Sequence, residues 1–161
     1  MLYAALKTLH LLSIIVWVGG MAYTLFFLRP AVMVLESPLR VRLMHDVLRR
    51  FFAAVLVSIA IVLVSGSWMM LIFFRSQADT PAGVDVSMPW NWMVMATLGV
   101  LMAAIFGHIR YVLFKRLRLA VLDQKWVTGG AALASIRSWV RINLVIGLVI
   151  VIVVGMGAVA W

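Results

Sequence analysis

His10 sits inside an almost wholly apolar run, Leu2 to Leu28. An imidazole in hydrocarbon must be compensated, so the ring is expected to face the interior of a helical bundle and meet a partner there. Three chemistries satisfy that demand: a hydrogen-bonded structural histidine, an axial ligand of haem, or a copper ligand. The methionines bring in a soft metal. Met69, Met70, Met88, Met93, Met95 and Met156 fall toward the same ends of the apolar runs as His10. Thioether plus imidazole without thiolate is a donor set suited to Cu(I); the plainer reading is that methionine fills irregular gaps between helices. The metal candidates are therefore His10, Met69, Met70, Met93 and Met95. For a porphyrin the candidates are His10 and Trp17, with Phe26 and the Gly19-Gly20 pair shaping an apolar slot.

A second polar set lies deeper in the chain. His108, Tyr111 and Asn143, with Arg110 or Arg141 and with His45 approaching from the amphipathic segment, read either as interfacial anchors or as a second ligand site or proton path. Depth separates it from His10. Counting helical rise, His10 lies on the order of 10 Å below one end of its run and His108 roughly 27 Å below the corresponding end of its own. Two axial imidazoles must stand about 4 Å apart across an iron, given metal–nitrogen bonds near 2 Å. A haem ligated by both His10 and His108 is therefore excluded for regular helices. There is no cysteine, hence no thiolate site. Glu36, Asp46, Asp79, Asp85 and Asp123 all lie outside the apolar runs, so no paired-carboxylate site is expected within them. No phosphate-binding glycine loop or serine–histidine–carboxylate set is present, and ordinary hydrolase or kinase chemistry is not expected.

The elements that must position these residues are membrane spans. The chain of 161 residues is 66% hydrophobic and 12% charged, outside the range of soluble domains. Four apolar runs emerge, about Leu2–Leu28, Phe51–Phe74, Trp90–Phe114 and Val140–Val159, each long enough to cross a bilayer as a helix. They are too long, and too poor in turn signals, for barrel strands. The expected fold is all-α, a four-helix transmembrane bundle forming a single domain over residues 1–161. The first run lacks a basic n-region and a small-residue cleavage pattern, so it reads as a retained span. Within it Tyr3, Lys7, His10, Ile14, Trp17, Met21 and Thr24 share one helical face, with Ser13 and Gly20 beside them.

Net charge is +9, and every Lys and Arg except Lys7 and Arg75 flanks the first–second or third–fourth connection. The positive-inside rule then places both connections in the cytoplasm and both termini outside. Anionic headgroups, not nucleic acid, are the expected counter-charge. Trp90, Trp92 and Trp161 would mark the outer interface, Trp126 and Trp139 the inner one. Ser37-Pro38 starts a helix that should run unbroken from the cytoplasm into the second span. The third span should likewise continue past Phe114, to be broken at Thr128-Gly129-Gly130. Ser76 to Pro89 reads as an external loop. Close helix approach is expected at Gly19-Gly20, Ser65-Gly66-Ser67, Gly99, Gly107, Gly147 and Gly155-Met156-Gly157.

Several of these stretches also carry a resemblance. Leu-Lys-Thr-Leu-His10, Val-Trp17-Val-Gly19-Gly20 and Arg29-Pro30 resemble the first helix of the copper resistance D (CopD) family. Leu48-Arg49-Arg50-Phe51-Phe52, Ser65-Gly66, Phe106-Gly107-His108 and the stretch from Ile136-Arg137 through Asn143 to Gly147 are similar to that family too. The resemblance implies a role in copper uptake or tolerance in a bacterial inner membrane. The first helix is also similar to the bacterial membrane protoporphyrinogen oxidase, a four-helix haem b protein in which the residue matching His10 is implicated in haem binding. That family has an important lysine in its third helix, and Trp92 to Thr97 here contains none. The first expectation is a copper-homeostasis protein that holds or moves Cu(I), with a periplasmic copper carrier as partner. The alternatives are a haem b redox protein linked to quinone, and a structural or assembly subunit; any of them could form a homo-oligomer.

Overall fold

The computed structural model describes residues 1–78 and 88–158. Most of the expected external loop and the interfacial Trp161 lie outside the described residues. Four helices account for nearly all the rest: α1 Leu2–Val32, α2 Ser37–Ala78, α3 Trp90–Leu122 and α4 Trp126–Ala158. All four are long and apolar enough to cross a membrane.

Two helices are expected from the sequence to outrun the bilayer, but by length all four do: even the 31 residues of α1 span about 46 Å. At 42 residues α2 is about 63 Å long, twice the hydrocarbon thickness of ~30 Å. It begins at Ser37, with Pro38 in a first turn where a missing N–H leaves no bond unmade. Helix α3 runs on past Phe114 to Leu122. The connections at this end are short, residues 33–36 and 123–125. Because the arginines and lysines gather here, it is called the basic end below.

One expected boundary is wrong. The chain breaks at Asp123–Lys125, and Thr128-Gly129-Gly130 lies inside α4. Lys125 N–H bonds the Ala120 carbonyl at 2.8 Å and Gln124 N–H the Val121 carbonyl at 3.2 Å, the paired closure that ends many helices. That closure needs a left-handed residue, and Gln124 supplies it at φ 54° without being glycine. Gly129 serves packing instead: a Cβ there would lie 2.8 Å from Val41 Cγ1 on α2. Gln124→Gly should therefore stabilise the protein by up to about 1 kcal/mol in a thermal or denaturant unfolding measurement. No gain would mean the left-handed turn carries no strain.

Helix α1 packs chiefly on α2 and α3 on α4, and the two hairpins meet through α2–α4 and α1–α4 contacts. An aromatic column ties them at the centre. Trp17 of α1 meets the Phe106 ring of α3 edge-on at 6.3 Å. Phe52 of α2 stands edge-on to both Phe106 and Phe114, at 5.6 and 5.3 Å. His45 stacks flat on Phe114 at 5.2 Å. Outside this core the spans expose Leu11, Ile15, Phe26, Val57, Val64, Val145 and Ile152. In water such a surface would be a vast apolar patch; in lipid it is the solvent face.

Three turns are wound wider than α, at Ile15–Gly19, Thr24–Leu28 and Ile109–Leu113. The second has a visible cause. Pro30 cannot donate to the Phe26 carbonyl and would clash with it in a regular helix, so the turn before it opens. The Thr24 hydroxyl, donating to the Gly20 carbonyl at 2.7 Å, ties that turn to the one below.

Candidate functional site

The face expected on α1 is largely the buried one. His10, Ser13, Trp17, Met21 and Thr24 are buried, whereas Tyr3 and Lys7 at the start of the helix are exposed. His10 points at α2, where its Nδ1 lies 2.9 Å from Ser65 Oγ. Ser65 is itself buried and donates its hydroxyl proton to the Ile61 carbonyl at 2.6 Å. With that proton committed, Ser65 Oγ acts as acceptor and the imidazole carries its hydrogen on Nδ1. An Nδ1–H imidazole keeps its lone pair on Nε2, the atom with which it can ligate a metal.

Glycine makes room for the ring. A Cβ on Gly66 would lie 3.3 Å from His10 Cε1, so any larger residue there would press on the imidazole. Ser65 and Gly66 thus act as an acceptor and a gap at the same level of α2. In the sequence the pair reads as small packing residues and as part of the family resemblance. The signal was available: a serine in mid-span, on a neighbouring helix, at a depth that can meet the histidine of α1.

The methionine candidates divide. Met69 lies one turn beyond Ser65 along α2, on nearly the same face, while Met70 is turned about 100° further round the helix. Both are half-buried, as is Met95 on α3. Met93 is 57% exposed and faces outward. The ends of α2 and α3 meet just above, where Phe73 packs on Trp92 at 5.2 Å. Among the described residues there is no group of three or more His, Cys, Asp or Glu side chains able to hold a metal ion.

Of the second polar set, His45 and Arg110 come together on the Phe114 ring. His108 is exposed and its ring lies 5.2 Å from that of Trp139. Tyr111 is exposed, and Arg110 lays its guanidinium over the Phe114 ring at 5.2 Å. His45 stacks on Phe114 and has its Nδ1 3.1 Å from Asp46 Oδ1. Asn143 is buried completely, with neither amide atom hydrogen-bonded. Trp17, a candidate wall of a porphyrin slot, is buried two turns along the same face of α1 from His10 and packs against Phe106.

Four apolar helices of spanning length, with a hydrogen-bonded imidazole buried between two of them, define a multi-pass protein embedded in the bilayer. Comparison with known proteins is more specific. The model of the family described as copper resistance protein D matches residues 45–156, and the chain belongs to that family. The matched stretch includes Ser65-Gly66, Phe106-Gly107-His108 and Asn143, and begins after His10. No curated protein and no solved structure shows significant similarity to the chain.

Proposed function

We propose that this protein serves copper homeostasis in a bacterial inner membrane, holding or passing Cu(I) at His10 with methionine thioethers beside it. The observation that carries the reading is the Ser65 hydroxyl accepting from His10 Nδ1, which turns the Nε2 lone pair into a preset ligand. Outer-shell bonds of this kind orient metal-binding histidines and raise their basicity. Met69 is the first thioether partner because it follows Ser65 by one turn, and Met95 the next because it is half-buried. Met70 and Met93 are more peripheral. With the basic end in the cytoplasm, as the positive-inside rule requires, the His10 level lies in the outer leaflet, within reach of a periplasmic carrier. Trp17, His108 and Asn143 have no part in holding this ion.

The test is Cu(I) titration of the purified protein under reducing conditions against a competing chelator, with an absorption spectrum of the same preparation. One Cu(I) per chain is expected. His10→Ala should abolish tight binding, and Ser65→Ala should weaken it by about 10–100-fold while leaving the ligand itself in place. Met69→Leu should weaken it as well. A Soret band that disappears in His10→Ala would replace copper by haem b as the ligand. A protein that binds neither would be a structural or assembly subunit, and the copper reading would fall.

A further inference from the structure

At the basic end, α1, α2 and α4 enclose a cavity of about 210 Å³ that has no part in the His10 site. Arg29, Arg40 and Arg137, one from each helix, line it, and Leu25, Phe51 and Val140 are among its apolar lining residues. All three arginines are half-buried. The ion pairs among the described residues are His45–Asp46 and Lys125–Asp123, so none of the three has a carboxylate partner. Arg137 feels the charge of Arg29 and of its exposed helical neighbour Arg141. Three half-buried arginines lining one cavity, with no carboxylate partner among the described residues, make it a place where an anion is favoured.

We propose that this cavity binds the phosphate of an anionic phospholipid. Guanidinium is the side chain best matched to phosphate, through paired N–H donors in a planar fork. The volume equals roughly seven waters, enough for a phosphate and its glyceryl carbons but not for a pair of acyl chains. The chains would then lie along the exposed apolar surface near Phe26 and Phe27. A basic pocket between spans at the headgroup level is the expected geometry for such recognition. A free phosphate ion shares the charge but gains nothing from the apolar lining, so the lipid is the favoured source.

The full-length protein in neutral detergent would be titrated with dioleoyl phosphatidylglycerol, dioleoyl phosphatidylcholine or inorganic phosphate, reading retained lipid by native mass spectrometry and thermal unfolding in parallel. Retention of phosphatidylglycerol and a rise in Tm of several degrees are expected, with at least tenfold weaker retention for Arg29→Gln/Arg137→Gln. Arg49→Gln/Arg50→Gln removes two exposed charges at the same end, outside the cavity, and should change retention less than twofold. Leu133→Trp fills the cavity without altering charge, and it too should abolish retention. Equal stabilisation by phosphatidylcholine, stabilisation by inorganic phosphate alone, or equal loss in the Arg49/Arg50 variant would each overturn the proposal. These lipid readouts are independent of whether Cu(I) binds at His10.

Discussion

Gly20→Leu is expected to destabilise the bundle by about 3 kcal/mol, whereas Gly19→Leu, one residue away, should be neutral or slightly stabilising. The two glycines are adjacent in sequence and opposite in environment. At Gly20 the ring of Phe51 occupies the space a Cβ would need. At Gly19 nothing lies within 4 Å of that position, and the residue faces outward. Leucine at Gly19 meets lipid and gains the helix propensity that glycine lacks. Leucine at Gly20 must displace Phe51, which packs against Phe52 at 5.9 Å and so against the aromatic column. An escape for the ring exists toward the arginine-lined cavity it borders, so the damage should spread to that end of the molecule. Reversible unfolding in mixed micelles would measure both variants. Equal stabilities would show that α1 and α2 do not approach closely at this level.

That contrast also marks where the sequence was readable. Gly19-Gly20 invites the reading that both glycines permit close approach, yet only one does. Composition and run length were enough for four spanning helices, because no soluble fold tolerates such apolar stretches. The continuation of α2 and α3 beyond the bilayer followed from Pro38 and from the absence of any breaker after Phe114. The end of α3 did not follow, because glycine is the usual residue in a left-handed cap and Gly129-Gly130 was the nearest pair. Gln124 in that conformation leaves no mark in a sequence. Of the glycines it displaced from that role, Gly129 is explained by a neighbour distant in sequence, Val41, and nothing crowds Gly130.

The site was half legible for a similar reason. Burial cost pointed to His10 without any knowledge of its surroundings, and the face it shares with Trp17, Met21 and Thr24 followed from helical periodicity. Its partner did not, because a hydroxyl such as Ser65 can satisfy itself on its own helix and so raises no alarm when found in a span. Ser65 does both: it donates to Ile61 and accepts from His10. The arginine-lined cavity was hidden differently. Arg29, Arg40 and Arg137 looked like three members of a general positive flank, and only the helix packing sets them around one space.

Asn143→Leu is expected to stabilise the protein by about 2 kcal/mol, contrary to the usual effect of a core substitution. Asn143 is 0% exposed, and its amide nitrogen and oxygen both lack hydrogen-bond partners. An amide in that state forfeits its hydration, or its local bonds in a separated helix, and receives nothing in return. Leucine has a similar volume and no such debt. The neighbouring turn leaves little slack: a Cβ on Gly147 would lie 3.1 Å from Val18 and 3.2 Å from Met102. Trp17 Nε1 is a second buried donor without a partner, and it supplies the internal control. If the two orphans are independent, Trp17→Phe and Asn143→Leu should add within about 0.5 kcal/mol. If a trapped water joins them, the double mutant should show coupling above that, and Asn143→Leu alone should destabilise by 1 kcal/mol or more. Chemical unfolding of the four proteins in one detergent decides between these results. Destabilisation by Asn143→Leu would mean that the amide is satisfied in the membrane, restoring Asn143 as a candidate for the proton path read from the sequence.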